Sequence, residues 1–387
     1  MIIHIASDEK FINSAYWQFN NIGEKENIFY ILVQDVDKKL KHVNIEDGMN
    51  LVSLNIRNLK ILGKSLDKAT LVCFHGLDYY SSIVLNNLPR NQKVLWILFG
   101  KEVHNNSHLL NTKKNIGEKT YAKFLSKNIL DRLKGKYKDY FRGVYYRIRN
   151  KTGSPFYEIT KAMKRANYCG ILYKEEFQLV KEKLNTKIEY IKFSYYPIEK
   201  MIGDINSKIS GINILLGNSA STTNNHLEAF DMLKKMNLDG RKIITPLSYG
   251  DKNYKNEIEK KGKQILKDKF KPLVNFMPLH KYNAYVQNCS IVIMNHYRQQ
   301  AVGNVLAMLW MGSKVYLDKR NTLYHYLKRI GVNIYEISKD FIPENKEALN
   351  SLTVAQQEHN RACLKEEINK EVLLNDLKIA INSVICR

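Results

Sequence analysis

Short apolar runs, separated by longer helix-compatible stretches, constrain the fold of this chain more than any other feature. Seven runs occupy the first half, at 2–6, 28–33, 51–54, 70–76, 93–100, 168–173 and 188–193. From about residue 211 a second series follows: INILLGNS, RKIITPLSY, LVNFMP, CSIVIMN and SKVYL. Runs of this length and spacing are typical of buried parallel strands with crossover helices. The sequence therefore predicts an α/β protein with two doubly wound sheets, joined between Pro197 and Gly211.

Length and composition agree with two soluble domains. The chain has 387 residues, 44% of them hydrophobic, which is enough for two cores. No apolar run reaches the roughly 18–20 residues of a membrane span, and MIIHIASDEK reads as a strand rather than a signal peptide. The five cysteines are scattered, so we expect a reduced compartment with neither a disulfide framework nor a zinc site.

The net charge of +23 predicts an acidic partner, such as nucleic acid, an anionic membrane or a phosphate-bearing substrate. About half of this excess charge lies in an insert at 110–165, which contains 16 Lys and Arg but only four Asp and Glu. Nine aromatic residues are interleaved with them. Three interpretations stay open: a solvated helical face, a membrane-surface patch and a site for single-stranded nucleic acid. No nucleic-acid-binding motif accompanies the insert. The candidate contacts to anionic inner-leaflet lipid are Lys134, Lys136, Lys138, Arg142, Arg147 and Arg149.

Three segments of the second half predict a site for a phosphate-bearing ligand. In each, a strand ends in a polar loop that leads into a helix, and a helix N-terminus favours anionic oxygen. Arg298 adds a guanidinium that can bind phosphate through two hydrogen bonds. Three such strand ends at one edge of a sheet are hard to explain as turns alone. The candidate ligand-binding residues are Gly217, Asn218, Ser219, Asn224, His226, Tyr249, Asn253, Arg298, Gln299, Gln300, Gly303 and Asn304.

The same segments carry a family resemblance. GNS followed by Asn224 and His226, the P-x-S-Y-x-x-x-N loop, FMPLHKYNAYVQNCSIVI and RQQAVGN resemble the bacterial 4-acetamido-4,6-dideoxygalactose transferases. This is the 4-alpha-L-fucosyltransferase-type family of enterobacterial common antigen synthesis. Weaker similarity continues at Ser7-Asp8, the FHG of 74–76 and the W-x-x-x-G that ends at Gly100.

The resemblance implies a GT-B fold, with two Rossmann-like doubly wound domains that face a cleft. It implies transfer from a dTDP-sugar to a polyprenyl-diphosphate-linked oligosaccharide, without a metal or cofactor and without nucleic acid as a partner. The expected location is the cytoplasmic face of the bacterial membrane, as a peripheral protein. We expect residues 1–205 to form the acceptor-side domain and 206–387 the donor domain. The sequence departs from the family at Glu102, where an Asp is usual, and has no acid near Ala307, where many GT-B enzymes bind ribose.

A general base for the acceptor hydroxyl is expected in the first domain. Asp8, His75 and Glu102 are the candidates because each follows the carboxyl end of a predicted strand. His75 is equally consistent with a core or phosphate-contacting histidine. Two other functions stay open: a GT-B enzyme with another donor, such as a UDP-sugar, and a non-enzymatic basic protein that binds RNA or lipid.

Overall fold

The computed structural model describes residues 1–23, 26–107, 109–126 and 141–386. The chain divides into two compact units. Unit 1 is drawn from 1–111, 127–196 and 370–387, and unit 2 from 112–126 and 197–369. Each unit is built on one parallel sheet, in agreement with the two series of apolar runs.

The strands of unit 1 are β1 (Ile2–Ser7), β2 (Asn27–Val33), β3 (Met49–Ser53), β4 (Leu71–His75), β5 (Val94–Ile97), β6 (Tyr168–Ile171) and β7 (Glu189–Lys192). Those of unit 2 are β8 (Asn213–Leu216), β9 (Ile243–Pro246), β10 (Phe270–Leu273), β11 (Cys289–Met294), β12 (Lys314–Leu317) and β13 (Ile334–Glu336). The sheet orders are β3-β2-β1-β4-β5-β6-β7 and β10-β9-β8-β11-β12-β13. In both, the order reverses beside the first strand, and such switch points are where doubly wound sheets bind ligands. The two places are the loops after β1 and β4 in unit 1 and the loops after β8 and β11 in unit 2.

The helices are α1 (Ile12–Ile22), α2 (Ile56–Ser65), α3 (Tyr79–Asn86), α4 (Lys101–His104), α5 (Glu118–Phe124), α6 (Pro155–Arg165), α7 (Lys174–Leu184), α8 (Ile198–Ile202), α9 (His226–Lys234), α10 (Lys252–Leu266), α11 (Leu279–Gln287), α12 (Val302–Met311), α13 (Thr322–Arg329), α14 (Ile337–Asp340), α15 (Val354–Ile368) and α16 (Lys370–Cys386). Residues 141–150 are also helical. Short 3-10 helices lie at Thr112–Asn115, Thr222–Asn224 and Lys267–Lys269. Side chains cap several helix starts: Asn55 accepts from Arg57 N (2.9 Å), and Asp251 from Tyr254 N (2.7 Å).

The last helix belongs to unit 1. Leu377, Ile381 and Val384 of α16 are buried in one cluster with Leu71 and Leu95 of the first sheet. The expected donor domain of 206–387 therefore ends later in the chain than unit 2 does. The reason is that the apolar face of α16, at the C-terminal end of the chain, covers the sheet of unit 1. The start differs too, since unit 2 takes up the chain at 197.

A piece of the basic insert, residues 112–126, belongs to unit 2. Thr120 donates to Glu228 through its backbone N (2.9 Å) and its Oγ1 (2.6 Å), and Gly117 N donates to Asn225 Oδ1 (2.8 Å). The Phe124 ring packs 4.8 Å from that of Tyr254. The expected 1–205 domain with one insert at 110–165 therefore differs from the structure, because these contacts hold part of the insert on unit 2.

The far end of the insert is ordinary unit 1 structure. Helix α6 packs on α3, with Ile159, Ala162 and Met163 buried in the core. Lys134, Lys136 and Lys138 lie outside the described residues.

One strand prediction in unit 2 was wrong, and one strand was not predicted. The run LVNFMP (273–278) does not form the third strand. The strand there is β10, which starts at Phe270 and overlaps the run only at Leu273. Parallel pairing with β9 fixes this register, and Pro272 is tolerated because β10 is an edge strand. The short edge strand β13 was not predicted, since three residues are too few to show a strand pattern.

Candidate active site

The loop after β8 turns sharply at the switch point of unit 2. Gly217 has a φ of +66°, and a Cβ at this position would lie 2.6 Å from Asn224 Oδ1 and 2.8 Å from His226 Nε2. Both the conformation and the space therefore require glycine. The next two residues, Asn218 and Ser219, are buried.

Asn224 holds this loop from beneath. Its Oδ1 accepts from Asn218 N (2.9 Å) and lies 2.8 Å from His296 Nε2, and its Nδ2 donates to Ser219 Oγ (3.2 Å). Because a backbone N–H can only donate, Asn224 Oδ1 must be an acceptor, and His296 carries its proton on Nε2. Burial, helped by the charge of Arg298, lowers the pKa of His296 to about 3, so the ring is neutral.

His226 packs against this loop at Gly217. The side chain is fully buried, and its Nδ1 is 3.0 Å from Tyr254 Oη. Burial lowers the pKa of His226 to about 3. In this structure His226, like the buried Asn224, supports the loop, and the contact of either residue with a ligand stays a prediction.

Side chains join the three predicted loops. Asn218 Nδ2 donates to Tyr249 Oη in the loop after β9 (3.0 Å). Gln300 Nε2, from the loop after β11, donates to Asn218 Oδ1 (3.0 Å), and Thr223 Oγ1 donates to Gln300 Oε1 (2.6 Å). We call these four residues the three-loop network. The structure thus brings the three segments together at one edge of the sheet.

The start of α12 faces open space beside this network. Ala301 has a φ of +55° and ends the loop, and the first backbone hydrogen bond of the helix runs from Val305 N to Ala301 O (3.0 Å). The N–H groups of Val302, Gly303 and Asn304 precede that bond and have no acceptor within the helix. A Cβ on Gly303 would meet nothing within 4 Å. Gly303 and Asn304 thus lie in the first turn, as predicted.

Arg298 and Gln299 lie in the same loop and are half-buried. Arg298 Nη1 donates to Gln299 O (2.9 Å), which holds the guanidinium close to the loop backbone. Within the described part of the chain, Gln299 Oε1 is buried and has no hydrogen-bond partner. The loop after β9 is more open: Tyr249 is 59% exposed, and Asn253 is exposed on the first turn of α10.

Several asparagines that link the loops were not among the predicted residues. Asn225, with a φ of +51°, donates through Nδ2 to Asn295 O (2.9 Å), and Asn295 Nδ2 donates back to Asn225 O (3.2 Å). Asn321 Nδ2 donates to His296 O (3.2 Å). The sequence feature that could have indicated them is an asparagine directly after a buried strand, as at position 295.

A fourth strand end also reaches this edge. The Arg320 guanidinium lies 3.3 Å from the centroid of the Tyr297 ring, and its Nε and Nη2 each donate to Asp318 (2.7 Å). Asp318 is buried beside the end of β12. The Asp-x-Arg pair after the run SKVYL was overlooked because the prediction stopped at three loops.

In unit 1, Asp8 clamps a neighbouring loop. Its carboxylate accepts from the backbone N–H groups of Lys41 (2.7 Å), His42 (2.9 Å) and Val43 (3.0 Å). Burial alone would raise the pKa of Asp8, but the three donors outweigh it and lower the pKa. A carboxylate held this way is a weak base, so the structure does not favour Asp8 for proton transfer.

Both ring nitrogens of His75 are engaged. Nε2 is 3.0 Å from His4 Nδ1, and Nδ1 is 3.0 Å from Tyr195 Oη. Burial, with a contribution from His4, lowers the pKa of His75 well below its ordinary value. His75 is therefore a buried, neutral link between two side chains, and the structure does not favour it as the base.

The two carboxylate oxygens of Glu102 differ in their hydrogen bonding. It lies in α4, which starts after Gly100 (φ +94°). Oε1 accepts from Phe99 N (2.9 Å) and Trp96 Nε1 (3.2 Å), whereas Oε2 is buried without a partner among the described residues. Burial raises the pKa of Glu102. A raised pKa and an unpaired oxygen are the properties of a general base, and of the three candidates only Glu102 has both.

One stretch of the chain matches a known family. The model of "4-alpha-L-fucosyltransferase glycosyl transferase group 56" matches residues 173–362, which include every candidate of the three loops. Residues 173–362 belong to glycosyl transferase group 56. The predicted family is confirmed, and the protein is a glycosyltransferase.

Solved structures with the same fold are distant in sequence. Sucrose-phosphate synthase from Thermosynechococcus elongatus is 10% identical, with a TM-score of 0.62 over 100% of this chain and 99% of that one. A glycosyltransferase from Rickettsia africae is 12% identical, with a TM-score of 0.56 over 99% and 98%. Anabaena HepE in complex with UDP and glucose is 9% identical, with a TM-score of 0.60 over 99% and 99%. The GT-B fold class predicted for this glycosyltransferase is confirmed.

The described residues lack two features, one required for a metal site and one for a membrane span. Within them, no group of three or more His, Cys, Asp and Glu side chains is arranged to hold a metal ion. In the same part of the glycosyltransferase, no helix combines the length and the apolar character that a bilayer span requires.

Proposed function

We propose that unit 2 binds the diphosphate of a nucleotide sugar at the three-loop network. The carrying observation is the convergence of Asn218, Tyr249 and Gln300 beside Arg298 and the open first turn of α12. As the sugar leaves, negative charge grows on the diphosphate. Arg298 and the N–H groups of Gly303 and Asn304 stabilise that charge, which gives transition-state stabilisation without a metal.

The donor is a dTDP-linked 4-acetamido-4,6-dideoxyhexose. Membership of residues 173–362 in group 56 supports this choice, because the family resemblance implies that donor. A UDP-sugar is the alternative, and its support is that structurally similar HepE is in complex with UDP and glucose. Tyr249, Gln300 and Arg298 hold the phosphates of the donor. They do not by themselves distinguish thymine from uracil in its nucleotide.

Unit 1 binds the acceptor, a polyprenyl-diphosphate-linked saccharide. The oxygen of the acceptor hydroxyl bonds to the anomeric carbon of the donor sugar, and the bond from that carbon to the diphosphate oxygen breaks. As this happens, Glu102 Oε2 takes the proton of the hydroxyl. The raised pKa of Glu102 supports this role, since it improves proton acceptance over that of an ordinary carboxylate. Asp8 and His75 hold other parts of unit 1 in place.

A transfer assay tests this function. Purified full-length protein, a short-chain prenyl-diphosphate-linked N-acetylhexosamine and the dTDP-sugar should give product in the presence of EDTA. The matched reaction with a UDP-N-acetylhexosamine should give little. Transfer from the UDP donor alone would select the alternative. Transfer that EDTA abolishes and Mg²⁺ restores would show that the charge stabilisation proposed for Arg298 is insufficient.

We further propose that the glycosyltransferase meets its lipid-linked acceptor as a peripheral protein on the inner leaflet of the bacterial membrane. On the helical residues 141–150, Phe141 is 65% and Ile148 is 77% exposed, and Val144 and Tyr145 are exposed between them. The spacing of i, i+3, i+4 and i+7 puts the four on one face. The predicted lipid contacts Arg142, Arg147 and Arg149 are exposed on the same stretch.

The opposite side of these residues is held by unit 1. Tyr146 packs against its core, and Asn150 Nδ2 donates to Tyr79 Oη (2.9 Å). A fixed helix with outward apolar side chains beside arginines suits the interface of an anionic membrane, where the rings and Ile148 reach acyl depth.

Vesicle co-sedimentation tests the membrane proposal. Changing Arg142, Arg147 and Arg149 together to glutamine should weaken binding to anionic vesicles about 100-fold at low salt, at about 1 kcal/mol per charge. The control changes Lys234, Lys260 and Lys267 on unit 2 to glutamine, which removes the same charge elsewhere and should leave binding nearly intact. Equal weakening in both would indicate a diffuse charge effect and contradict the assignment to 141–150.

A further inference from the structure

A directed chain of hydrogen bonds runs through unit 1 to Tyr195. Tyr195 Oη is 3.0 Å from His75 Nδ1, His75 Nε2 is 3.0 Å from His4 Nδ1, and His4 Nε2 is 3.2 Å from Asn27 Oδ1. Both histidines are buried, and the Tyr195 ring is only partly so. The chain thus links the interior of the sheet to its carboxyl edge.

The direction of every bond in the chain is fixed at its inner end. Asn27 Nδ2 donates to Phe19 O (3.2 Å), a carbonyl that can only accept, so Asn27 Oδ1 must face His4. His4 therefore donates from Nε2. Burial lowers the pKa of His4 to about 3 and keeps the ring neutral, so its Nδ1 accepts from His75 Nε2. Neutral His75 in turn accepts at Nδ1, and the Tyr195 hydroxyl must donate to it.

This arrangement leaves Tyr195 Oη with acceptor capacity alone, because its one proton is committed to His75. The residue is also held in place, since Tyr195 O accepts from Ser14 Oγ (2.5 Å) and Gln18 Nε2 (2.9 Å). A ligand group that pairs with Oη must therefore be a donor, such as a sugar hydroxyl or an acetamido N–H.

Two more aromatic rings adjoin Tyr195. Phe11 and Phe99 lie 5.2 and 5.4 Å from it, centroid to centroid, and 5.6 Å from each other. All three rings are partly exposed, and we call them the aromatic platform. Gly76 makes it possible: its φ is +74°, and a Cβ there would lie 2.3 Å from the Phe99 ring. The FHG stretch thus supplies both the histidine behind Tyr195 and the space for Phe99.

Positive charge borders the platform. Lys10 Nζ is 5.0 Å from the Phe11 ring centroid, and Lys101 Nζ is 5.7 Å from that of Phe99. Lys101 Nζ also forms an ion pair with Glu9 Oε1 (2.8 Å), so the positive charge that suits a ligand with phosphate is that of Lys10. Aromatic surface with a few placed polar groups is typical of small-molecule sites. Phe99 further connects the platform to Glu102, because its backbone N–H donates to Glu102 Oε1.

We propose that the aromatic platform binds a sugar ring of the phosphate-linked acceptor, with one of its hydroxyl or amide donors on Tyr195 Oη. This rests on the proposed function, in which unit 1 binds the acceptor. His75 and His4 are positioning residues: they orient the Tyr195 proton inward and leave the oxygen to the ligand.

Equilibrium binding to full-length protein tests the assignment with two probes, geranyl-diphosphate-linked N-acetylglucosamine and geranyl diphosphate without sugar. Tyr195→Phe keeps the ring and removes the acceptor oxygen, so Kd for the sugar-bearing probe should rise about 3- to 10-fold, as for one hydrogen bond. Kd for geranyl diphosphate should stay unchanged. The matched control is Tyr190→Phe, whose hydroxyl donates to Leu172 O (2.9 Å) and should not affect either probe.

Equal affinity of wild type and Tyr195→Phe for the sugar-bearing probe would overturn the proposal, as would a wild type that does not discriminate between the probes. Titration of the same proteins with thymidine diphosphate separates this inference from the function. If Tyr195→Phe loses sugar binding but wild type binds no nucleoside diphosphate, the platform stands and the proposed donor site fails.

Discussion

Replacing Arg298 with alanine is expected to lower kcat for sugar transfer by roughly 10²–10³, the range for loss of one preorganised charge-stabilising donor. The guanidinium lies in the loop that joins β11 to α12, beside the three-loop network. The charge that it stabilises is larger in the transition state than in the bound donor, so kcat should fall more than donor affinity. Steady-state kinetics with the preferred donor measure both.

Two variants sharpen this experiment. Arg298→Lys should recover only part of the rate, because an ammonium lacks the planar fork that binds two phosphate oxygens. Arg329→Ala removes a surface arginine that pairs with Glu367 (4.0 Å), far along the chain from the loop, and should transfer sugar at the wild-type rate. Wild-type turnover by Arg298→Ala would contradict the assignment.

Glu102→Gln is expected to lower kcat by roughly 10²–10⁴, the usual contribution of a general base. The amide oxygen can still accept from Phe99 N and Trp96 Nε1, and the amide nitrogen replaces an oxygen that has no hydrogen-bond partner among the described residues. The fold should therefore tolerate the change while proton acceptance is lost. In wild type, kcat should also fall as pH drops through the raised pKa of Glu102, because the carboxyl then becomes protonated; the variant should lose this limb of the pH profile.

Glu158→Gln is the matched control. Glu158 is also a buried glutamate of unit 1, but both of its oxygens accept hydrogen bonds, from Gly153 N (2.6 Å) and Asn86 Nδ2 (2.7 Å). Its substitution should lower stability and leave the pH profile of kcat intact. If the two variants lose the same activity, or if the acid limb persists in Glu102→Gln, Glu102 is not the base.

The parallel sheets could be predicted because their strands are buried on both faces and so appear as continuous apolar runs. The same logic located Gly217 and Arg298, since residues at the carboxyl ends of such strands meet at one edge. The short strand β13 carries too few residues for a pattern, and the place of Phe270–Leu273 depends on pairing with β9.

Contacts between distant parts of the chain were beyond prediction. Tyr195 is 120 residues from His75, and no local pattern marks the pair. The docking of α16 on the first sheet and of residues 112–126 on unit 2 likewise depends on complementary surfaces that form only after folding. For the same reason, the burial of the His226 side chain, and with it the support that it gives to the loop, could not be predicted from its position in the sequence.

The most direct test of a nucleotide-sugar site in unit 2 is thermal unfolding of wild type and Arg298→Ala with thymidine diphosphate, uridine diphosphate or an oligonucleotide, in EDTA. At about 100 times its Kd, a ligand of the folded state adds about 2.7 kcal/mol to the free energy of unfolding. We predict that thymidine diphosphate stabilises wild type most and loses much of this effect in Arg298→Ala. Stabilisation by the oligonucleotide alone, or by thymidine diphosphate equally in both proteins, would contradict the account.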